Sequence, residues 1–186
     1  MYRELLTRLE SMRPINGGAR LLEVSCGRGG GVQAFIASAD GRLDVTGLDA
    51  AGSAVSFCRS RYGENGKLRF VEANALKLPF GDDSFDVVLN VEASNDYGDR
   101  PAFFREVRRV LKPDGVFLYA DSFRSGQVDR MRAQLKEAGL SGKFDDITAN
   151  VLEACRLDSP RRRQVLRRDL PIAARLLLKR QLANYA

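Results

Sequence analysis

The sequence predicts an α/β domain: a doubly wound, mostly parallel sheet with helices on both faces. Three observations predict it. Strand-like apolar runs alternate with helix-patterned runs at the spacing of βαβ units. The run FDVVLNV, Phe85 to Val91, is nearly all apolar, as a central strand buried on both faces must be. The run LLEV ends in a glycine-rich turn, SCGRGGG, that opens into a helical pattern.

Each element has its own signal. Tyr2 to Met12 carries Leu5, Leu6 and Leu9 on one side of a helix, which Pro14, Gly17 and Gly18 end. Arg20 to Val24 is the first strand and Gly29 to Ser38 the helix after it. Asp40-Gly41 turns the chain into a second strand, Leu43 to Leu48, followed by a helix from Ala51 to Arg61. Lys67 to Glu72 alternates as a third strand, and Phe85 to Val91 is the fourth. Asp99 caps a helix with Pro101 in its first turn, ending near Leu111. Lys112-Pro113-Asp114-Gly115 turns into a fifth strand, Val116 to Asp121. Gln127 to Ala138 is a helix, and Lys143 to Ile147 is read as a short sixth strand. The pattern is helical after Thr148, with starts at Ser159-Pro160 and at Pro171. There, Leu176, Leu177 and Leu182 oppose Arg175, Lys179 and Arg180.

Composition narrows the function. The 186 residues fit a single domain, with residues 1–147 as its core and 148–186 as a helical, basic lid or cover. No apolar run reaches the roughly 18 residues of a membrane span, and the charged N-terminus lacks a signal-peptide core. Cys26, Cys58 and Cys155 form no CxxC pair, which suits a reducing cytoplasm and places no disulfide. Histidine is absent. That excludes histidine triads, histidine metal sites and a histidine base, and no metal site is expected. A proton acceptor would have to be Asp, Glu, Tyr, Lys, Cys or water. The whole net charge of +6 falls beyond residue 150, where nine Lys/Arg face three acids; the first 150 residues are neutral. A nucleic-acid enzyme carries basic groups beside its active face as well, so nucleic acid is not the expected partner. The basic tail reads as a solvated helical cover or as a contact with an anionic membrane surface. Nothing in the chain sets an oligomeric state.

Parallel strands with right-handed crossovers gather their carboxyl ends around one crevice. Glu23, Ser25, Asp49, Asn74 and the stretch Asn90 to Tyr97 fall at or just past those ends. The glycine turn lets backbone N–H groups approach a ligand, and Asp49 ends the next strand where a ribose hydroxyl would lie. An adenosine-containing cofactor follows. Ser25, Gly27 and Gly30 imitate a dinucleotide fingerprint. Glu23, however, lies where a pyrophosphate would come; its charge repels that anion and suits a sulfonium bearing an ammonium group.

Four segments, LLEVSCGRGG, TGLD, NALKLPFGDDSFDVVLNVEAS and REVRRVLKPDGVFLYAD, carry a resemblance across nearly the whole chain. The chain resembles the class I S-adenosylmethionine-dependent methyltransferases, and within them those acting on polyketide-type lipids, such as the phthiotriol dimycocerosate O-methyltransferases. The resemblance implies a Rossmann-like fold, S-adenosylmethionine as cofactor and methyl transfer to a small, polyketide or lipid-like acceptor, at oxygen. It implies that Glu23 orients the methionine amino end, that Gly27 and Gly29 let the chain pass beside the cofactor with Ser25 in the usual first glycine's place, and that Asp49, followed by Ala50, accepts from the ribose hydroxyls. Asn74 with Ala75 would meet the adenine, and Asn90 and Val91 the methionine part. The chain also departs from the family pattern. Asn74 replaces the usual Asp, and Asn95 stands where the lipid-type pattern places His. The usual last antiparallel strand is not evident.

With no histidine, the base is sought just past the fourth strand: Asp96 first, then Glu92 and Tyr97. Cys26 reads as a small loop residue. Glu23 and Asp49 have a bland alternative, two acids satisfied by loop amides. The competing functions are a cofactor-binding cyclase or regulatory module without methyl transfer, and RNA methylation.

Overall fold

The computed structural model describes residues 2–12, 15, 17–124 and 126–169. A five-stranded sheet runs in the order β3-β2-β1-β4-β5. Its strands are β1 (Ala19–Val24), β2 (Leu43–Asp49), β3 (Leu68–Glu72), β4 (Phe85–Val91) and β5 (Leu111–Ala120). All four pairings are parallel. The helices are α1 (Tyr2–Met12), α2 (Gly30–Ser38), α3 (Gly52–Tyr62), α4 (Arg100–Val110), α5 (Val128–Glu137) and α6 (Thr148–Asp169). The chain forms two compact units, residues 1–141 and 142–186.

Side chains alternate across the sheet, so neighbouring residues enter different cores. Leu21 and Leu89 join Leu6, Leu9, Val32, Phe35 and Val55 of α1, α2 and α3 on one face. Leu22 and Val88 join Phe103, Phe104, Val107, Met131 and Leu135 of α4 and α5 on the other. The FDVVLNV strand is buried along its length except for its last residue, as its composition predicts.

Asp99 caps α4 by accepting from the Ala102 N–H at 2.9 Å, with Pro101 in the first turn. Two groups on α4 then fix the β3–β4 loop. Glu106 accepts from the Leu78 N–H at 2.7 Å, while Arg109 donates to the carbonyls of Leu78 and Phe80 at 3.0 and 2.7 Å. That loop carries Asn74 and Ala75.

Three expectations need correction. The expected fifth strand begins earlier, at Leu111, and Lys112 to Gly115 forms an irregularity within it: the register passes from Phe85↔Leu111 to Val87↔Val116. Lys143 to Ile147 forms no strand. The paired acids Asp145 and Asp146 disfavour one, and Asp146 instead accepts from the Thr148 N–H at 2.9 Å and starts α6. Ser159-Pro160 is not a helix start, because α6 runs through Pro160. Pro160 removes one backbone donor, while the Ser159 hydroxyl donates to the Cys155 carbonyl at 2.8 Å. Pro171 and the leucines beyond it lie outside the described residues.

Candidate active site

The strand order reverses beside β1, whose neighbours are β2 on one side and β4 on the other. A crevice opens at the carboxyl ends of strands at such a switch point. The turn leaving β1 lines it. Ser25, Gly27 and Gly29 all have φ in the left-handed region, +59°, +54° and +76°. A non-glycine residue there is uncommon. Ser25 is held by its side chain, whose Oγ lies 2.5 Å from the Tyr97 hydroxyl.

Asp49 ties the turn to α3. Its Oδ2 accepts from the Gly27 N–H at 2.8 Å and its Oδ1 from the Ala51 N–H at 2.9 Å. Loop amides therefore do satisfy this acid in part, as the bland reading requires. A carboxylate accepts about four hydrogen bonds, so each oxygen keeps one lone-pair site for a ligand. Ala50, beside it, is exposed.

Glu23 is buried, 1% exposed, on the other side of β1 from Leu22. The Tyr2 hydroxyl of α1 and the Val32 N–H of α2 hydrogen-bond to it. Its Oε2 has no partner. Burial pushes its carboxyl up to about 7. A Cβ at Gly31, in the first turn of α2, would strike Glu23 Oε1 and the Tyr2 ring, so any side chain there has to displace them.

Asn90 is fully buried at the end of β4. Its Nδ2 donates to the Val24 carbonyl and to the Tyr97 hydroxyl, both at 3.0 Å, and its Oδ1 has no partner. Val91 follows, half-buried. Asn74 is exposed, and its Oδ1 accepts from the Leu76 N–H at 2.8 Å; Ala75 is buried.

The three base candidates occupy different settings. Asp96 is exposed, within a single turn of 3₁₀ helix, Ser94–Asp96. Glu92, at φ +51°, is exposed and accepts from the Ser122 hydroxyl at 2.9 Å. Tyr97 packs edge-on against Phe103 and turns its hydroxyl to Ser25 and Asn90. Burial raises its phenol, so it stays protonated at neutral pH. Burial likewise raises the thiols of Cys26 and Cys58, which agrees with Cys26 as an inert loop residue.

Sequence reasoning missed several members. Ser94, 1% exposed, lies 2.5 Å from the Tyr119 hydroxyl and donates to Asp121 Oδ2 at 2.7 Å. Asp121 Oδ1 accepts from Asn95 Nδ2 at 2.9 Å. Asn95, in the place where the resemblance expects His, is thus held by a carboxylate from the end of β5. The strand-end rule that selected Asn90 could have selected Asp121. No such signal points to Tyr2. Among the described residues, no group of three or more His, Cys, Asp or Glu could hold a metal, and no helix is long and apolar enough to cross a membrane.

A family model described as a methyltransferase domain matches residues 22–119. The chain is 43% identical over 159 residues to the probable phthiotriol/phenolphthiotriol dimycocerosates methyltransferase 2 of Mycobacterium ulcerans, covering 85% of this chain and 61% of that protein. It is 42% identical over 123 residues to the fatty-acid O-methyltransferase of Mycolicibacterium smegmatis, covering 66% of this chain and 44% of that one. The chain therefore spans about three fifths, or less, of the length of these curated relatives. Among solved structures, phosphoethanolamine N-methyltransferase 2 of Haemonchus contortus, in complex with S-adenosyl-L-methionine, matches with a TM-score of 0.79. The match covers 98% of this chain and 48% of that one at 20% identity, a likeness of fold.

Proposed function

This chain belongs to the methyltransferase-domain family, and on that premise we propose that it transfers the methyl group of S-adenosylmethionine to an oxygen of a lipid-like acceptor. The observation that carries the cofactor is the pairing of Asp49 with the glycine turn. A carboxylate anchored by two loop N–H groups keeps one accepting site on each oxygen, which suits the two hydroxyls of a ribose. The names of two relatives, a dimycocerosates methyltransferase and a fatty-acid O-methyltransferase, support the lipid-like acceptor.

The residues present fit the cofactor. Ser25, Gly27 and Gly29 form the turn beside it, and Asp49 with Ala50 takes the ribose. Asn74 and Ala75 border the adenine. Asn90 and Val91 meet the methionine part, where the unpartnered Asn90 Oδ1 accepts an N–H donor. Glu23 supplies negative charge behind the turn. When bound, the cofactor supplies a methyl group already activated on a sulfonium. The protein's contribution is then alignment and exclusion of water. For a hydroxyl acceptor, Asp96 is the first candidate to take the proton, with Glu92 behind it. Tyr97 acts through Ser25 and Asn90.

Residues 148–186 act in this reading as the cover of the acceptor. The reaction takes place in the cytoplasm, with the basic tail toward anionic lipid surfaces. The test is methyl transfer from labelled S-adenosylmethionine to lipid, polyketide and RNA pools. Label in a lipid or polyketide supports the reading. Label in RNA, or cofactor binding with no transfer to any pool, overturns it.

A further inference from the structure

We propose that Tyr2 is a positioning residue for cofactor binding: its hydroxyl occupies one oxygen of the buried Glu23 carboxyl, so that the other, Oε2, carries the negative charge that suits the positive end of S-adenosylmethionine. The inference rests on the cofactor assignment above and adds to it a residue of α1, away from the strand ends.

The pairing is built into the packing of α1 on α2. The Tyr2 hydroxyl and the Val32 N–H donate to Glu23, and since Oε2 has no partner, both meet Oε1. A carboxylate oxygen accepts about two hydrogen bonds, so Oε1 is filled. Gly31 makes the room: phenol and carboxyl meet where its Cβ would stand. The Tyr2 ring packs edge-on against Phe35 of α2, with ring centres 6.3 Å apart, which fixes the direction of its hydroxyl. Oε2 is left as a buried oxygen without a donor, a costly arrangement that calls for a ligand's donor.

The surroundings supply no positive charge of their own. No lysine or arginine among the described residues pairs with Glu23. The titratable groups around it are Tyr2 from α1, Cys26 from the glycine turn and Cys58 from α3, while α2 has none. Burial raises the phenol and both thiols, so all three stay neutral. Asp49 and Arg28 act on Cys58, beyond them. Tyr2 therefore governs how readily the carboxyl ionises. Burial raises Glu23 to about 7 against the opposing pull of Tyr2 and then of Val32. Without the phenol the carboxyl keeps its proton to higher pH, because a hydrogen bond to a charged oxygen shifts such an equilibrium about tenfold or more.

The experiment compares the full chain with Tyr2→Phe, Glu23→Gln and the double variant. Phenylalanine keeps the ring beside Phe35 and removes only the donor. Calorimetry gives the Kd for S-adenosylmethionine across the pH range, and urea unfolding gives the stability of the ligand-free protein. Titration of the cofactor's own amino group cancels in the ratio of variant to wild-type Kd. For Tyr2→Phe that ratio should be about tenfold or more at pH 6.5 and within about threefold at pH 9. The decline of stability with rising pH should extend about one pH unit higher in the same variant. On the Glu23→Gln background, adding Tyr2→Phe should change the Kd by a factor independent of pH. A Tyr2→Phe ratio that is the same at both pH values, or an affinity unchanged at both, shows Tyr2 to be packing alone and overturns the inference while the cofactor assignment stands. Absence of S-adenosylmethionine binding by the wild type at every pH overturns the cofactor assignment and this inference with it.

Discussion

The Tyr97 hydroxyl accepts a hydrogen bond from Asn90 Nδ2 at 3.0 Å and shares a second hydrogen bond with the Ser25 hydroxyl, whose Oγ lies 2.5 Å away. This chain of contacts runs from the end of β4 to the start of the glycine turn, and its Ser25–Tyr97 link joins residues 72 positions apart. It accounts for a serine in left-handed backbone where a glycine would cost nothing in strain. Tyr97→Phe removes the link and leaves two polar groups short of a partner. A buried hydrogen bond of this kind is worth about 1 kcal/mol, with a further penalty for orphaned groups. The variant should therefore bind S-adenosylmethionine about tenfold more weakly and melt a few degrees lower. A loss of more than about 100-fold in turnover with affinity intact would instead make the phenol a participant in the reaction.

Asp49→Ala removes both turn contacts and the proposed ribose acceptors. Charge-assisted hydrogen bonds contribute roughly 1.5–3 kcal/mol each. Calorimetry should show S-adenosylmethionine binding weakened by about one to two decades. Equal affinity in the two proteins, or tighter binding of NAD than of S-adenosylmethionine by the wild type, is the result that defeats the cofactor assignment.

Glu23 gives stability a pH dependence of definite sign. Its carboxyl titrates near 4.5 in the unfolded chain and near 7 when folded. Between those values the unfolded state releases a proton that the folded state keeps, so stability falls as pH rises from about 4.5 to 7. The span corresponds to about 3 kcal/mol. Urea unfolding at pH 5 and pH 8 should show that decline in the wild type and little of it in Glu23→Gln. Affinity for the cationic cofactor should move the other way, rising with pH as Glu23 ionises. A slope unchanged in the variant would assign the titration to another group.

Asp96→Asn and Glu92→Gln separate the two modes of transfer. With a hydroxyl acceptor, loss of a general base lowers turnover by at least about 100-fold. If no side-chain base operates, neither variant should change kcat by more than about threefold. Steady-state rates on a phenol, at saturating cofactor, provide the comparison.

Removal of residues 159–186 should lower kcat/KM for the acceptor by about tenfold or more while the Kd for S-adenosylmethionine stays within about threefold. The described part of α6 exposes Leu152 and Leu157, apolar area suited to an acceptor or a lipid surface. Loss of cofactor binding and folding together would show the segment to be core.

The amino-acid sequence alone determined the order of elements and the residues at the strand ends. Both depend on local regularities: period-two and continuous apolar runs for strands, 3.6-residue spacing for helices, and Asp99 with Pro101 for the start of α4. Glu23, Ser25, Asp49 and Asn90 were legible because parallel strands end on one side whatever their lateral order. Where the periodicity was weak, local reasoning failed: Lys143 to Ile147 has two apolar residues beside two acids, and Ser159-Pro160 looks like a helix start although the helix passes through it. Tertiary structure alone decided who touches whom across the sheet. β1 between β2 and β4 brings Ser25 to Tyr97 and Gly27 to Asp49, and pairing of β4 with β5 brings Ser94 to Asp121. The Tyr2–Glu23 contact needs α1 packed against α2 over the same face. Such contacts depend on lateral strand order and helix docking, long-range pairings that a local pattern does not encode, and they decide which of the acids and phenols at the strand ends are bonded, buried or left open to a ligand.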